Sequence, residues 1–300
     1  MPELPEVETI ARGLDKRVSG DRIESVWIGN KPEPLKSPAA VIAKTLERTR
    51  IEQVRRVGKH IVFDLKAAKV KEARQWIVHL GMTGRMLVAP PEADLADHTH
   101  LIARLASGRE LRFVDPRRFG RLEVRVGSFA GPGTEPLQVQ VEEFMQLFRT
   151  RKAPIKAALL NQKLLHGVGN IYADESLFRA GIRPRRRATS ITRAEYAKLH
   201  HALQKVLKEA ITAGGSSVSD YVDANGEEGF FQLQHRVYGR EGEPCLVCKR
   251  PIKKIVVGGE ERITARSVNG ELSQSGHRVV GSSVHHNPAT PDLLLRFEVN

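Results

Sequence analysis

Short apolar runs dominate the first half of the chain. Between Ile23 and Val126, the runs Ile61–Leu65, Trp76–Leu80, Leu101–Leu105 and Leu122–Val126 are each bounded by Gly, Pro, Asp or Arg clusters. Runs of that length with such punctuation predict the strands of a sandwich or barrel. Ahead of them Leu4, Val7, Ile10 and Leu14 recur at helical spacing, which predicts a helix with one apolar face. Pro2 and Pro5 fall at or before its first turn, where a missing N–H does little harm. Gly127–Pro136 is rich in Gly and Pro and predicts a linker. Beyond it the period becomes helical. Thr192 and Glu195 have capping-box spacing. Tyr196, Leu199, Leu203, Val206, Leu207 and Ile211 then form one stripe, read as core, which ends at Gly214–Gly215. From Glu260 onward no period persists, and Gly, Ser, Asn and His accumulate, which predicts a disordered tail over 260–300.

Composition narrows the class of partner. The 300 residues are enough for about two domains. Lys and Arg number 48 against 35 Asp and Glu, and the net charge of +13 points to a polyanion, nucleic acid first. No run approaches the ~18 apolar residues of a membrane span. The acidic start Met-Pro-Glu-Leu-Pro-Glu does not read as a secretory signal, so a cytoplasmic protein with no membrane partner is expected. Cys245 and Cys248 exclude a disulfide framework, and their spacing reads as a metal or redox pair in a reducing compartment.

Position two raises a chemical question. Removal of the initiator Met leaves Pro2 with a secondary amine, and an α-amino group titrates near ~8. Its neutral form attacks a sugar aldehyde carbon and gives an iminium, which splits one hard step into two. Glu3 is the candidate proton donor, and Glu6 the group that orients it. On these residues alone the plainer reading is a proline that starts a helix.

Longer motifs change that balance. Met1-Pro-Glu-Leu-Pro-Glu-Val-Glu-Thr9, Gly58-Lys-His60, His79-Leu-Gly-Met-Thr-Gly84 and Asp115-Pro-Arg-Arg-Phe-Gly120 follow in order. Gly167-Val-Gly-Asn-Ile-Tyr-Ala-Asp-Glu175 and Val237-Tyr-Gly-Arg-Glu-Gly-Glu-Pro-Cys245 complete the series. Through residue 259 or so the chain resembles the formamidopyrimidine-DNA glycosylases, base-excision repair enzymes of bacteria. The resemblance implies a multi-domain α+β fold. Residues 1–130 would form an N-terminal β-sandwich with a leading helix, 137–225 a helical helix–two-turn–helix domain, and 235–259 the remnant of a β-hairpin zinc finger. It implies Pro2 as the nucleophile at C1′, Glu3 as the acid, Glu6 in support, and Lys59 assisting elimination at a phosphate. Met82, Arg117 and Phe119 would fill the space left by an extruded base, and His98, Arg151, Lys156 and Asn170 would contact DNA. Gly167 and Gly169 would leave backbone N–H groups facing a phosphate at a helix start. Ser216–Val222 falls where the family keeps a loop over the flipped base. The implied partner is double-stranded DNA with oxidised bases or abasic sites, bound by a monomer.

The pattern breaks at the finger. The family closes a zinc site with two C-x-x-C pairs, and only Cys245 and Cys248 are present, so zinc is expected to be absent or weakly held. His277, His285 and His286 lie in the tail at irregular spacing. Synonymous codons for Arg262–Gly270, read in another frame, spell His-Tyr-Cys-Pro-Glu-Cys-Gln-Arg, which resembles the missing half. A frame shift near Gly258–Gly259 is therefore one reading of the tail. Glu260 then stands where the family has a phosphate-binding arginine, which implies weakened DNA binding and impaired lyase activity. Two other readings stay open: a damaged-DNA-binding protein without catalysis, and an endonuclease VIII-like excision of oxidised pyrimidines.

Overall fold

The computed structural model describes residues 1–67, 72–217, 229–257 and 260–264. The chain opens with helix α1 (Leu4–Val18), then strand β1 (Ile23–Ile28) and helix α2 (Ala39–Leu46). Seven strands follow: β2 (Thr49–Val57), β3 (His60–Ala67), β4 (Arg74–His79), β5 (Arg85–Ala89), β6 (Thr99–Leu105), β7 (Glu110–Val114) and β8 (Arg121–Val126). They make two four-stranded antiparallel sheets, in the orders β1-β6-β7-β5 and β2-β3-β4-β8. Alternate residues of both sheets, among them Phe63, Trp76, Leu101 and Phe113, share one buried cluster, the two-layer solution for sheets with one apolar face. All four predicted strand runs lie in this sandwich.

A helical part follows, with α3 (Val141–Phe148), α4 (Ile155–Leu159), α5 (Asn170–Ala180) and α6 (Arg193–Thr212). Thr192 caps α6 through the reciprocal box with Glu195, as its spacing predicts. The stripe from Tyr196 to Leu207 is buried in a second core with Phe144, Phe148 and Tyr172. Helix α1 serves both cores. Val7, Ile10 and Leu14 pack into the sandwich, whereas Leu4 belongs to the helical cluster. The Gly127–Pro136 segment is not a loose linker: Arg56 of β2 holds Glu135 with bonds of 2.8 and 2.9 Å and Glu8 of α1 with one of 2.7 Å.

After α6 the described chain resumes with a 3-10 turn (Phe231–Gln234) and ends in a hairpin, β9 (Lys253–Val257) with β10 (Glu260–Thr264). This corrects the expectation of disorder for five residues. Glu260 to Thr264 pair in register with Val257 to Lys253, so ladder hydrogen bonds order a stretch whose side-chain pattern carries no strand signal. Residues 265–300, with His277, His285 and His286, lie outside the described residues. Among the described residues, no helix is long and apolar enough to cross a membrane.

Candidate active site

The N-terminus of α1 is docked on the turn before α5. Leu4 N–H donates to the Gly167 carbonyl at 3.0 Å. The Glu3 carboxylate accepts from Gly169 N–H at 2.8 Å and from Ile171 N–H at 3.1 Å, which places an anion on the positive end of α5. A Cβ on Gly169 would lie 2.3 Å from the Glu3 Cδ, and that contact is the reason a glycine stands there. The expectation that these N–H groups face a phosphate is therefore corrected: a carboxylate of the same chain takes two of them.

Glu6 continues the network. Its Oε2 accepts the Glu3 N–H at 2.8 Å, and its Oε1 accepts from Ser216 N–H at 2.8 Å and from the Tyr172 hydroxyl. Both carboxyls are buried, and burial is the main cause that raises each. Glu3 is pushed up to about 7; Lys59 opposes the shift, Glu6 adds to it, and the two amides oppose it. Such an acid is poised to give up a proton near neutral pH.

A cavity of about 310 Å³ joins these groups. Pro2, Glu3, Glu6, Lys59, Met82 and Asn170 all line it, together with Ser216 and Tyr238. Lys59 follows the tight turn at Gly58 (φ +59°) and is itself buried, so its charge acts on Glu3 with little screening by water. Met1 also lines the cavity, and while it remains the Pro2 nitrogen is an amide.

The three proposed wedge residues sit on two interlocked turns beside the cavity. Met82, Arg117 and Phe119 are exposed, and the Arg117 guanidinium lies 4.8 Å from the Phe119 ring centre. Asp115, which carried no functional signal in the sequence beyond its motif, locks both turns. Its carboxylate accepts from Thr83 Oγ1 at 2.6 Å and from Gly120 N–H at 2.7 Å, while Thr83 Oγ1 accepts from Arg117 N–H at 3.3 Å. His79 is kept neutral, pushed down to about 4 mainly by burial, and accepts the Gly81 N–H at 3.1 Å. His98 is exposed in a left-handed turn (φ +64°) near the same face. Arg151 is exposed at the end of α3, its Nε bonded to the Leu147 carbonyl at 2.9 Å.

Lys156 departs from expectation. It is fully buried and ion-paired with Asp174 across α4 and α5, so it presents no charge to a phosphate. A lysine ammonium survives in a core only with such a partner. In the arginine-rich segment after α5 (Arg183, Arg185, Arg186 and Arg187), Arg186 binds Glu195 of the α6 capping box.

Residues 1–122 match the formamidopyrimidine-DNA glycosylase N-terminal domain, and residues 131–222 match the formamidopyrimidine-DNA glycosylase H2TH domain. The formamidopyrimidine-DNA glycosylase of Desulfitobacterium hafniense is 41% identical over 279 residues, which cover 88% of this chain and 97% of that protein. This chain belongs to the formamidopyrimidine-DNA glycosylase family. Among solved structures, the MutM (Fpg) protein of Thermus thermophilus matches with a TM-score of 0.79 at 39% identity, over 90% of this chain and 99% of that one. A Lactococcus lactis Fpg mutant, in complex with Fapy-dG-containing DNA, matches with a TM-score of 0.82 at 31% identity, over 90% and 100%. The resemblance read from the motifs is thus borne out, as is the sandwich-plus-helical fold.

Formamidopyrimidine-DNA glycosylases carry zinc in a C-terminal finger, and this chain's residues do not fit it. Cys245 and Cys248 form the expected knuckle, with Lys249 N–H on the Cys245 carbonyl at 2.9 Å. Among the described residues, however, no third His, Cys, Asp or Glu joins them. Cys245 is instead fully buried against Phe178, Val237 and Ile252. Glu175 of α5 fastens the segment leading into the knuckle by accepting N–H bonds of 2.9, 2.9 and 3.0 Å from Arg236, Val237 and Tyr238. The spacing of the sequence gives no sign of that anchor.

Proposed function

We propose that this chain is a bifunctional DNA glycosylase and abasic-site lyase acting on oxidised purines such as 8-oxoguanine and formamidopyrimidines in duplex DNA. One observation carries the reading: Pro2, Lys59 and a Glu3 with its acidity tuned to about 7 share one cavity. With Met1 removed, the neutral Pro2 amine attacks C1′ of the damaged nucleotide. The departing base leaves with the amine proton as the glycosidic bond breaks, Glu3 gives its proton to the sugar ring oxygen as the C1′–O4′ bond opens, and the iminium remains on Pro2. Loss of a C2′ proton then expels the 3′ phosphate, whose charge the Lys59 ammonium neutralises.

Met82 and Phe119 fill the vacated stack, and Arg117 bonds the orphaned partner base. Asn170, His98 and Arg151 hold the backbone. Lys156 supports the site from within, through Asp174. The Glu260 substitution at the finger weakens the grip on the lesion strand without touching Pro2 or Glu3.

The test is base release and strand cleavage by the purified chain on duplexes that carry 8-oxoguanine or an oxidised pyrimidine. Faster release of 8-oxoguanine is the expected result. Preference for the pyrimidine would assign endonuclease VIII-like chemistry, and tight binding without release would leave only a damaged-DNA-binding protein.

A further inference from the structure

Glu6 takes one of its hydrogen-bond donors from Ser216, which lies just past the C-terminal end of α6. Helix α6 ends at Thr212 with Ala213 as its cap, and two glycines with left-handed φ, Gly214 at +76° and Gly215 at +86°, separate that cap from Ser216. Ser216 is therefore not held by a helix. Its hydroxyl is buried and lies 3.0 Å from His235 Nε2. His235 follows the 3-10 turn that closes on the same segment, where Phe231 N–H donates to the Gly215 carbonyl at 2.9 Å. The imidazole is wedged edge-on between the rings of Phe231 and Tyr238, with centroids 5.5 and 5.6 Å away.

We propose that His235 is a positioning residue for the Pro2–Glu3 chemistry: its imidazole, hydrogen-bonded to the Ser216 hydroxyl, holds the Ser216 N–H on Glu6, which in turn holds the Glu3 backbone. The inference rests on the glycosylase reading given above. Loss of the His235 ring nitrogen leaves a buried hydroxyl without its partner, and the relief available is rotation at Ser216, which moves the donor off Glu6. Burial favours the neutral ring, and the Glu175 carboxylate on α5 opposes it. The other charged and titratable groups around the ring are Tyr238, Arg240 and Glu243, which line the same groove, and Glu6 beyond Ser216.

Two variants test it, His235→Leu, which abolishes the hydrogen bond to Ser216, and His235→Gln, whose amide restores one. His235→Leu is expected to lower single-turnover excision about tenfold, the loss of one hydrogen bond's worth of positioning, with lesion affinity nearly unchanged. His235→Gln is expected to recover most of that rate.

Amide exchange at Ser216 and Glu3, followed by NMR, reads the positioning without any catalysis. Faster exchange at both in His235→Leu but not in His235→Gln is expected. Exchange unchanged in His235→Leu overturns the proposal, as does a rate that His235→Gln fails to rescue in a folded protein. No excision by wild-type protein, with the exchange response intact, would overturn the glycosylase reading alone.

Discussion

Glu3 accepts the amide proton of Gly169 at 2.8 Å, a contact between residues 166 positions apart. It fixes the acid of the proposed reaction to the helical half of the molecule, although the rest of α1 packs mainly on the sandwich. Opening of the two halves would therefore move the acid away from Lys59, which the sandwich supplies from the β2–β3 turn.

Gly169→Ala tests that dependence. The added methyl would meet the Glu3 Oε1 at 2.4 Å, so the carboxylate must leave the helix end. Excision under single-turnover conditions is expected to fall by about 10²-fold or more, the usual worth of a placed general acid. Affinity for a duplex with a stable abasic-site analogue should change only a few-fold. An unimpaired excision rate would show that Glu3 needs no anchor on α5.

The pH dependence follows from two groups of opposite requirement. Glu3 must hold its proton, and with its acidity raised from 4.5 to about 7 it does so below that pH and loses it above. Pro2 must be unprotonated, and an α-amino group becomes so above ~8. The excision rate should thus be bell-shaped with a maximum near pH ~7.5. In Glu3→Gln the alkaline limb should disappear along with most of the activity. A wild-type rate that keeps rising to pH ~10 would remove Glu3 from the role of acid.

Met82→Ala and Phe119→Ala should separate binding from folding. Both side chains are more than two-fifths exposed (42% and 48%), so each truncation should leave thermal stability within about 0.5 kcal/mol. Each should weaken binding to an abasic-site duplex by roughly tenfold, the scale of one lost stacking contact. Asp115→Ala should do both kinds of damage, since it removes the partner of Thr83 and Gly120 and costs about 1–3 kcal/mol. Anisotropy titrations paired with thermal melts distinguish these outcomes.

The finger should be indifferent to chelators. Treatment with EDTA is expected to leave the melting temperature and DNA affinity unchanged, because apolar packing of Cys245 and the Glu175 anchor hold the knuckle. Cys245→Ser should destabilise by about 1–3 kcal/mol through a hydroxyl buried among Phe178, Val237 and Ile252. Glu260→Arg should tighten lesion binding and steepen its salt dependence by about one unit. Stoichiometric zinc in the purified chain, measured by mass spectrometry, would contradict this description of the finger.

Much of the site was legible in the chain because its motifs are local. Pro2, Glu3, Glu6, Lys59, Met82 and Asn170 converge on one cavity, as their motifs imply. Helix α1 and the capped start of α6 were readable from period and spacing. What escaped depends on distant partners. Lys156 reads as a DNA contact by its motif until Asp174, 18 residues on, is seen to pair with it in the core. Gly169 reads as a phosphate cradle until Glu3 occupies it. Helix α2 buries only Ile42 and Leu46, too few to register against the strands around it. The order of the sheets is invisible to a two-residue period, which marks a strand's buried face and not its neighbour.

Borohydride trapping on a duplex carrying 8-oxoguanine reads the Pro2 Schiff base itself. The sample should be purified protein whose mass shows that Met1 has been removed. A covalent protein–DNA adduct that is lost in Pro2→Gly is the expected result. No adduct from protein with a free Pro2 amine would contradict the Schiff-base chemistry and leave a DNA-binding protein in its place.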